Sequence, residues 1–304
     1  MTDRIGRDGT IGVVRGVTGA PRMQTVNATI RLFRGRPLEP ATVLRATRDA
    51  LSIAGLLLLF ITMRGGGQGY DFYAYWSVNP ADPYAVKEGF GAFHYAPPLV
   101  WLVGPLKAVP WPLAYWLWFG VLMLVLVWLA RDWALAWLAF PPVASELFHG
   151  NIHLLIAAAL VLSLRRPVAY WFLALSKVSP GVTALWYLVR REWRSLAVAV
   201  GGAGLVVAVA FVIAPGPWLA WLTHISSEAN HAPNLIEIPL AIRLPIAALL
   251  VVCAARTNRA WILAPAAVLS LPLLWFHGFA VLVAVTPLMR ASRSPRPAFA
   301  SHGF

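Results

Sequence analysis

The stretch that decides the fold is residues 111–166, WPLAYWLWFGVLMLVLVWLARDWALAWLAFPPVASELFHGNIHLLIAAALVLSLRR. Its first apolar run, 112–130, is long enough to cross a bilayer, which takes about 20 helical residues for about 30 Å of hydrocarbon. Arg131 ends that run, and two more, 133–147 and 152–164, lie before Arg165 and Arg166. Both are short for a full crossing. The chain is therefore expected to leave and return with its turn, residues 146–153, below the outer surface.

The pattern repeats outward from there. Apolar segments also occupy 50–63, 97–109, 167–177, 179–190, 195–214, 238–255, 260–275 and 278–290, eleven candidates in all. Two more turns, 176–180 and 275–278, fall between short segments and are expected to be submerged as well. Of 304 residues, 59% are hydrophobic and 12% charged, which places the chain among polytopic membrane proteins and excludes a long coiled coil, a collagen-like array or a disordered chain. The net charge of +13 comes mostly from basic residues beside apolar segments, where they orient helices, so nucleic acid is not an expected partner. Cys253 is the one cysteine, which excludes a disulfide framework and a CxxC pair.

Basic residues set the topology. They cluster before residue 50 and at 131, 165–166, 190–194, 256–259 and 290–296, alternating with segments that carry few, a positive-inside pattern with both termini cytoplasmic. The short segment 97–109, with Lys107, then lies at the interface and ten crossings remain. The expected organisation is a disordered basic cytoplasmic arm over 1–49, a transmembrane domain over 50–290 and a cytoplasmic tail over 291–304. The run 51–63 reads as a retained signal anchor, and Met23 offers an alternative start. Outer loops occupy 64–96 and 215–237.

Ionisable side chains at membrane depth are costly and are tolerated where they line a wet cavity. The submerged turns carry Glu146, His149, His153, Lys177 and His277, so a polar cavity opening to the outer face is expected. In the first outer loop, Asp71 stands among aromatics near the headgroup plane, a setting suited to proton abstraction. An aromatic belt accounts for most of its neighbours. His149 and His153 are four apart but lack an HExxH pattern or a carboxylate nearer than Glu146, so no metal site is expected. The glycines at 65–69 lack the lysine of a P-loop. Loop 215–237 holds Trp218, Trp221, His224, Glu228, Asn230, His231, Asn234 and Glu237, a mixture that fits either sugar contacts or an interfacial helix.

Taken in order, several motifs resemble those of the polyprenol-phosphate-mannose-dependent mannosyltransferases of the GT-C superfamily, glycosyltransferase family 87. They are Asp71 to Tyr75, Pro83-Tyr84, Tyr95-Ala96-Pro97-Pro98, Pro105-Leu106 with Pro110, Gly150-Asn151-Ile152-His153-Leu154-Leu155, Ser176-Lys177-Val178-Ser179-Pro180, and Ser270-Leu271-Pro272 followed by Trp275-Phe276-His277. Asn151 stands where the family has glutamine and His153 where it has asparagine. The resemblance spans about 51–289 and implies an all-α, GT-C-like polytopic bundle in a bacterial plasma membrane, with an extracytoplasmic active site.

It also implies transfer of a mannosyl unit from polyprenyl-phosphate-mannose to a lipid-linked or glycolipid acceptor, with inversion and without a cofactor. Asp71 would be the catalytic base. Lys177 and His277 would hold the departing phosphate, and Tyr75, Tyr95, His149, Asn151, His153 and Trp275 would contact substrate. Arg243, near the outer end of its segment, would either join the phosphate site or snorkel to the interface. A lipid flippase draws on the same broken helices, and a noncatalytic family member is the third alternative.

Overall fold

The computed structural model describes residues 39–228 and 238–293, whose regular secondary structure is helical, without strands. The chain divides into two units, 1–46 and 47–304. The described residues of the first, 39–46, open the helix Pro40–Met63, which starts about three helical turns before the apolar run. The arm expected to be disordered up to residue 49 is therefore helical from Pro40. Proline suits a first turn, where its missing N–H has no partner to lose, and the Thr42 and Val43 amides bond back to the Glu39 carbonyl. The rest of the arm and the tail from 294 lie outside the described residues.

Four helical stretches in the described residues are long and apolar enough to cross a membrane: Pro40–Met63, Trp111–Trp137, Trp193–Ile213 and Leu240–Thr257. A fifth crossing is possible as the pair Pro141–His149 and His153–Ser163, bent by 109° at the break between them. The other expected crossings are the shorter helices Pro167–Ser176, Ala260–Ser270 and Phe276–Ser292. Of the ten expected crossings, several of them expected to be short or re-entrant, four or five are long and apolar enough to span, because proline and glycine breaks divide the remaining apolar runs into pieces of two or three turns. Segment 97–109 is short, as expected: helix Pro97–Val103 followed by a 3-10 turn, Gly104–Ala108.

Within the second stretch, Trp111–Ala130 ends at Arg131, whose φ of 54° redirects the chain. The return is visible at its far end. Tyr115, near the start of this helix, donates its hydroxyl to the carbonyls of Leu147 and Phe148, and the Trp118 indole donates to the Gly150 carbonyl at 2.7 Å. Residues 131–149 therefore run back alongside the helix, as the sequence predicts.

Pro40–Met63 comes backbone to backbone with the bundle at Gly55. A Cβ on Gly55 would stand 2.6 Å from the Leu135 carbonyl and 2.7 Å from the Ala139 nitrogen, so only glycine permits this backbone approach. Ile53, Leu56, Leu57, Phe60 and Ile61 are exposed, as lipid-facing residues are. The opposite case is Leu263–Ser270, buried along most of its length between Leu240–Thr257 and the 3-10 helix Phe276–Ala284. The core thus lies under the late helices and the broken pair, which are the elements that carry the site.

Candidate active site

Residues 64–96, expected as the first outer loop, contain a helix, Tyr70–Ser77, which places Asp71 in its first turn. Gly69 precedes it at φ 74°, and its N–H bonds to the Phe148 carbonyl at 2.8 Å, tying the helix start to the end of Pro141–His149. Phe72 is fully buried and stacks on Trp111 and Trp118, with ring centroids 5.7 and 5.4 Å away. These contacts hold the helix down and leave the neighbouring Asp71 at the edge of a cavity of about 620 Å³.

Eight of the ten residues named from the sequence line this cavity: Asp71, Tyr75, Tyr95, His149, Asn151, Lys177, Trp275 and His277. They come from five separate parts of the chain. Glu88, His94 and Ser145 join them. Lys177 Nζ lies 4.7 Å from the centroid of the Tyr95 ring, a cation–π contact that holds the cation at the cavity wall. Directly after it, Val178 has φ 58° and ψ −64°, and the Ser179 N–H bonds to the Lys177 carbonyl at 2.7 Å. That is a γ-turn on a β-branched residue, a strained backbone that costs about 1–3 kcal/mol and fixes where Lys177 leaves the chain.

Asn151 organises the cavity floor. Its Oδ1 accepts from the Ile152 N–H at 2.7 Å, with the Tyr75 and Tyr95 hydroxyls at 3.4 Å, which turns Nδ2 toward His277 Nε2 at 3.3 Å. The same imidazole nitrogen lies 3.4 Å from Asp71 Oδ2. One ring nitrogen cannot accept from the amide and donate to the carboxylate at once. With Asn151 oriented by Ile152, Nε2 is the acceptor, and Asp71 Oδ2 is a buried oxygen with no hydrogen-bond donor among the described residues. Such an oxygen is set to receive a proton donor from outside the protein.

Two expected site residues are placed differently. His153 sits behind the floor, 2% exposed, with Nδ1 3.0 Å from Glu146 Oε2. Arg243 does not line the cavity. It is 2% exposed and donates Nε to the Ile238 carbonyl, Nη1 to Leu269 and Leu271, and Nη2 to Pro272, at 2.8–3.0 Å. Its guanidinium is spent on backbone acceptors at the C-terminal end of Leu263–Ser270, where helix carbonyls lack partners. It is a clamp for the chain leading to His277 and has no donor directed at a phosphate in the cavity.

A second histidine pair borders the site. His94 Nδ1 and His224 Nε2 are 2.9 Å apart with rings stacked, and the Trp221 indole donates to the His94 carbonyl. Burial first, then Lys177 and His224, lowers His94 to about 3, and burial with Lys87 lowers His224. Both are neutral at pH 7. Burial likewise raises the Tyr75 and Tyr95 hydroxyls well above their ordinary value, so they stay protonated donors. Residues 216–228 form a helix, as the interfacial alternative required, while Asn230, His231, Asn234 and Glu237 lie outside the described residues. His94 carries no motif of its own, though it directly precedes Tyr95.

Next to the cavity is an apolar groove of about 510 Å³, lined by Pro98, Trp101, Leu102, Trp171, Leu205, Val206 and Val209. Helix Pro97–Val103 leads into it from Tyr95, and helix Tyr170–Ser176 leads back from it to Lys177. Comparison with curated proteins and with solved structures gives no match. A family model for glycosyltransferase family 87 matches residues 93–303, from the cavity wall onward and just beyond the helix of Asp71. The chain belongs to glycosyltransferase family 87 and is a membrane glycosyltransferase.

Proposed function

We propose that the protein transfers a mannosyl unit from polyprenyl-phosphate-mannose to a lipid-linked or glycolipid acceptor on the extracytoplasmic side of a bacterial plasma membrane, with both termini cytoplasmic. The observation that carries this reading is the buried, donorless Oδ2 of Asp71 in a cavity that Lys177 also lines. Asp71 takes the proton of the acceptor hydroxyl as its oxygen attacks the anomeric carbon. The bond from that carbon to the phosphate oxygen breaks, and polyprenyl phosphate leaves with the electron pair.

Leaving adds one negative charge to the phosphate, and a fixed cation in a site of low dielectric stabilises that charge more than the diester it replaces. Lys177 supplies it. Attack opposite the leaving group inverts the anomeric carbon. A monophosphate leaving group next to a lysine needs no divalent ion to bridge it, so no cofactor is proposed for the transfer. The apolar groove, joined to Lys177 by helix Tyr170–Ser176, suits the prenyl chain, whose methylenes gain about 0.8 kcal/mol each on leaving water.

The test is transfer of radiolabelled mannose from synthetic polyprenyl-phosphate-mannose to membrane glycolipids, comparing wild type with Asp71→Asn in one detergent preparation. Removing a general base lowers turnover about 10²–10⁴-fold. Wild-type activity retained by Asp71→Asn refutes the base assignment. Wild-type transfer from polyprenyl-phosphate-arabinose alone refutes the mannosyl donor and keeps the reaction class.

A further inference from the structure

At and behind the cavity floor, three buried side chains converge from three elements. Glu146 comes from Pro141–His149, His153 opens His153–Ser163, and His277 comes from Phe276–Ala284. Each offers a ligand atom, and the three atoms lie within 4.8 Å of one another. Glu146 is 0% exposed, His153 2% and His277 8%.

The cluster is incompletely paired. Glu146 Oε1 accepts from the Leu154 N–H and Oε2 faces His153 Nδ1, yet His153 Nε2 is buried with no hydrogen-bond partner among the described residues. It faces the chain that carries His277: a Cβ added at Gly278 would stand 3.8 Å from it, and the two imidazole centroids are 5.2 Å apart. An ion shared with Glu146 would be taken by the ring edge that faces that carboxylate, replacing the Nδ1 proton and leaving Nε2 as an N–H turned toward the His277 chain.

We propose that Glu146, His153 and His277 form a buried zinc site that locks the bend between Pro141–His149 and His153–Ser163 to the helix carrying His277. Two imidazoles and one carboxylate suit Zn²⁺ and do not suit Mg²⁺ or Ca²⁺, which take oxygen ligands. Zinc ligands stand about 2.0–2.2 Å from the ion, so closing the set takes side-chain shifts of about 1 Å. The carboxylate cancels one charge of the ion, and Asp71 beside His277 faces the remainder.

The sequence argued against a metal because it paired His149 with His153. The 109° bend separates them. His149 turns its Nδ1 to the Ser145 carbonyl at 2.8 Å and stacks on His277 from the cavity side, while His153 joins Glu146. The proposal does not rest on the transfer reaction, although His277 is shared with the cavity wall.

The test is metal content of tag-free protein purified in detergent with zinc supplied, measured by inductively coupled plasma mass spectrometry. Wild type should hold about one zinc per chain, and Glu146→Gln and His153→Asn should lose it about tenfold or more. His224→Asn, in the separate histidine pair, should retain it. Chelator-stripped wild type titrated with Co²⁺ should develop visible d–d bands and recover its thermal midpoint, a readout that stands even if the variants fail to accumulate. Wild type without zinc and without a cobalt spectrum overturns the proposal, as does unchanged zinc in His153→Asn.

Discussion

Replacing Arg243 with lysine separates a clamp from a ligand for phosphate. The guanidinium sends donors in three directions to four carbonyls, at Ile238, Leu269, Leu271 and Pro272. A lysine keeps the charge but is a point donor on a flexible stem, and it can satisfy about two of the four. Each buried carbonyl left unpaired costs about 1–3 kcal/mol, so the loss comes to about 2–6 kcal/mol. At about 2–4 °C per kcal/mol the thermal midpoint falls by about 4–24 °C. Tryptophan fluorescence of the purified protein on heating measures it. Folded Arg243→Lys kept well below its midpoint should bind the lipid donor as wild type does. A midpoint within about 2 °C of wild type, together with about tenfold weaker donor binding, would refute the clamp and return Arg243 to the phosphate site.

Other substitutions probe how the cavity is held. A Cβ at Gly150, where φ is 70°, would come within 2.7 Å of Phe72 Cβ, so Gly150→Ala should cost about 2–5 kcal/mol and lower transfer by displacing the helix of Asp71, read by melting and by initial rates. Val178→Gly relieves the γ-turn strain and should raise the thermal midpoint while lowering turnover, because Lys177 is then less fixed; a turnover equal to wild type would show that the strain has no part in positioning it. His94 binds its proton near pH 6.5 when unfolded and near 3 when folded, so its contribution to stability is full above the unfolded value and is lost as pH falls. By pH 5 the loss reaches about 2 kcal/mol, and the midpoint should fall from pH 7 to 5 more steeply in wild type than in His94→Gln.

The sequence made the membrane class and most of the cavity legible for a physical reason. Asp71, Lys177 and His277 are polar residues beside long apolar runs, and a bundle has few places to put them other than one wet cavity. What it could not give was the pairing behind the floor. A continuous helix would align His149 with His153, but Gly150 and Asn151 break it, and the partner of His153 becomes Glu146 across the bend. Arg243 looked like a cation near an outer surface because its partners, the carbonyls at 269–272, become acceptors only once Leu263–Ser270 ends at Leu271. Ten crossings, several of them short, were expected because hydropathy counts apolar runs whatever their length, and four or five of those runs are helices long enough to span.

The bend has a consequence for how the protein is made. Pro40–Met63 satisfies its own backbone and is apolar on most of its surface, so it can enter the membrane as soon as it leaves the ribosome. The Gly150 carbonyl cannot, because its partner is an indole on a different helix. Trp118 is synthesised 32 residues earlier, so that partner is already in place when the bend emerges. Arg243 has the reverse order: its acceptors at Leu269, Leu271 and Pro272 follow it by 26 to 29 residues. The early half of the bundle can therefore assemble as it is translated, while Leu240–Thr257 has to wait at the translocon or in the lipid for the chain that will satisfy its arginine.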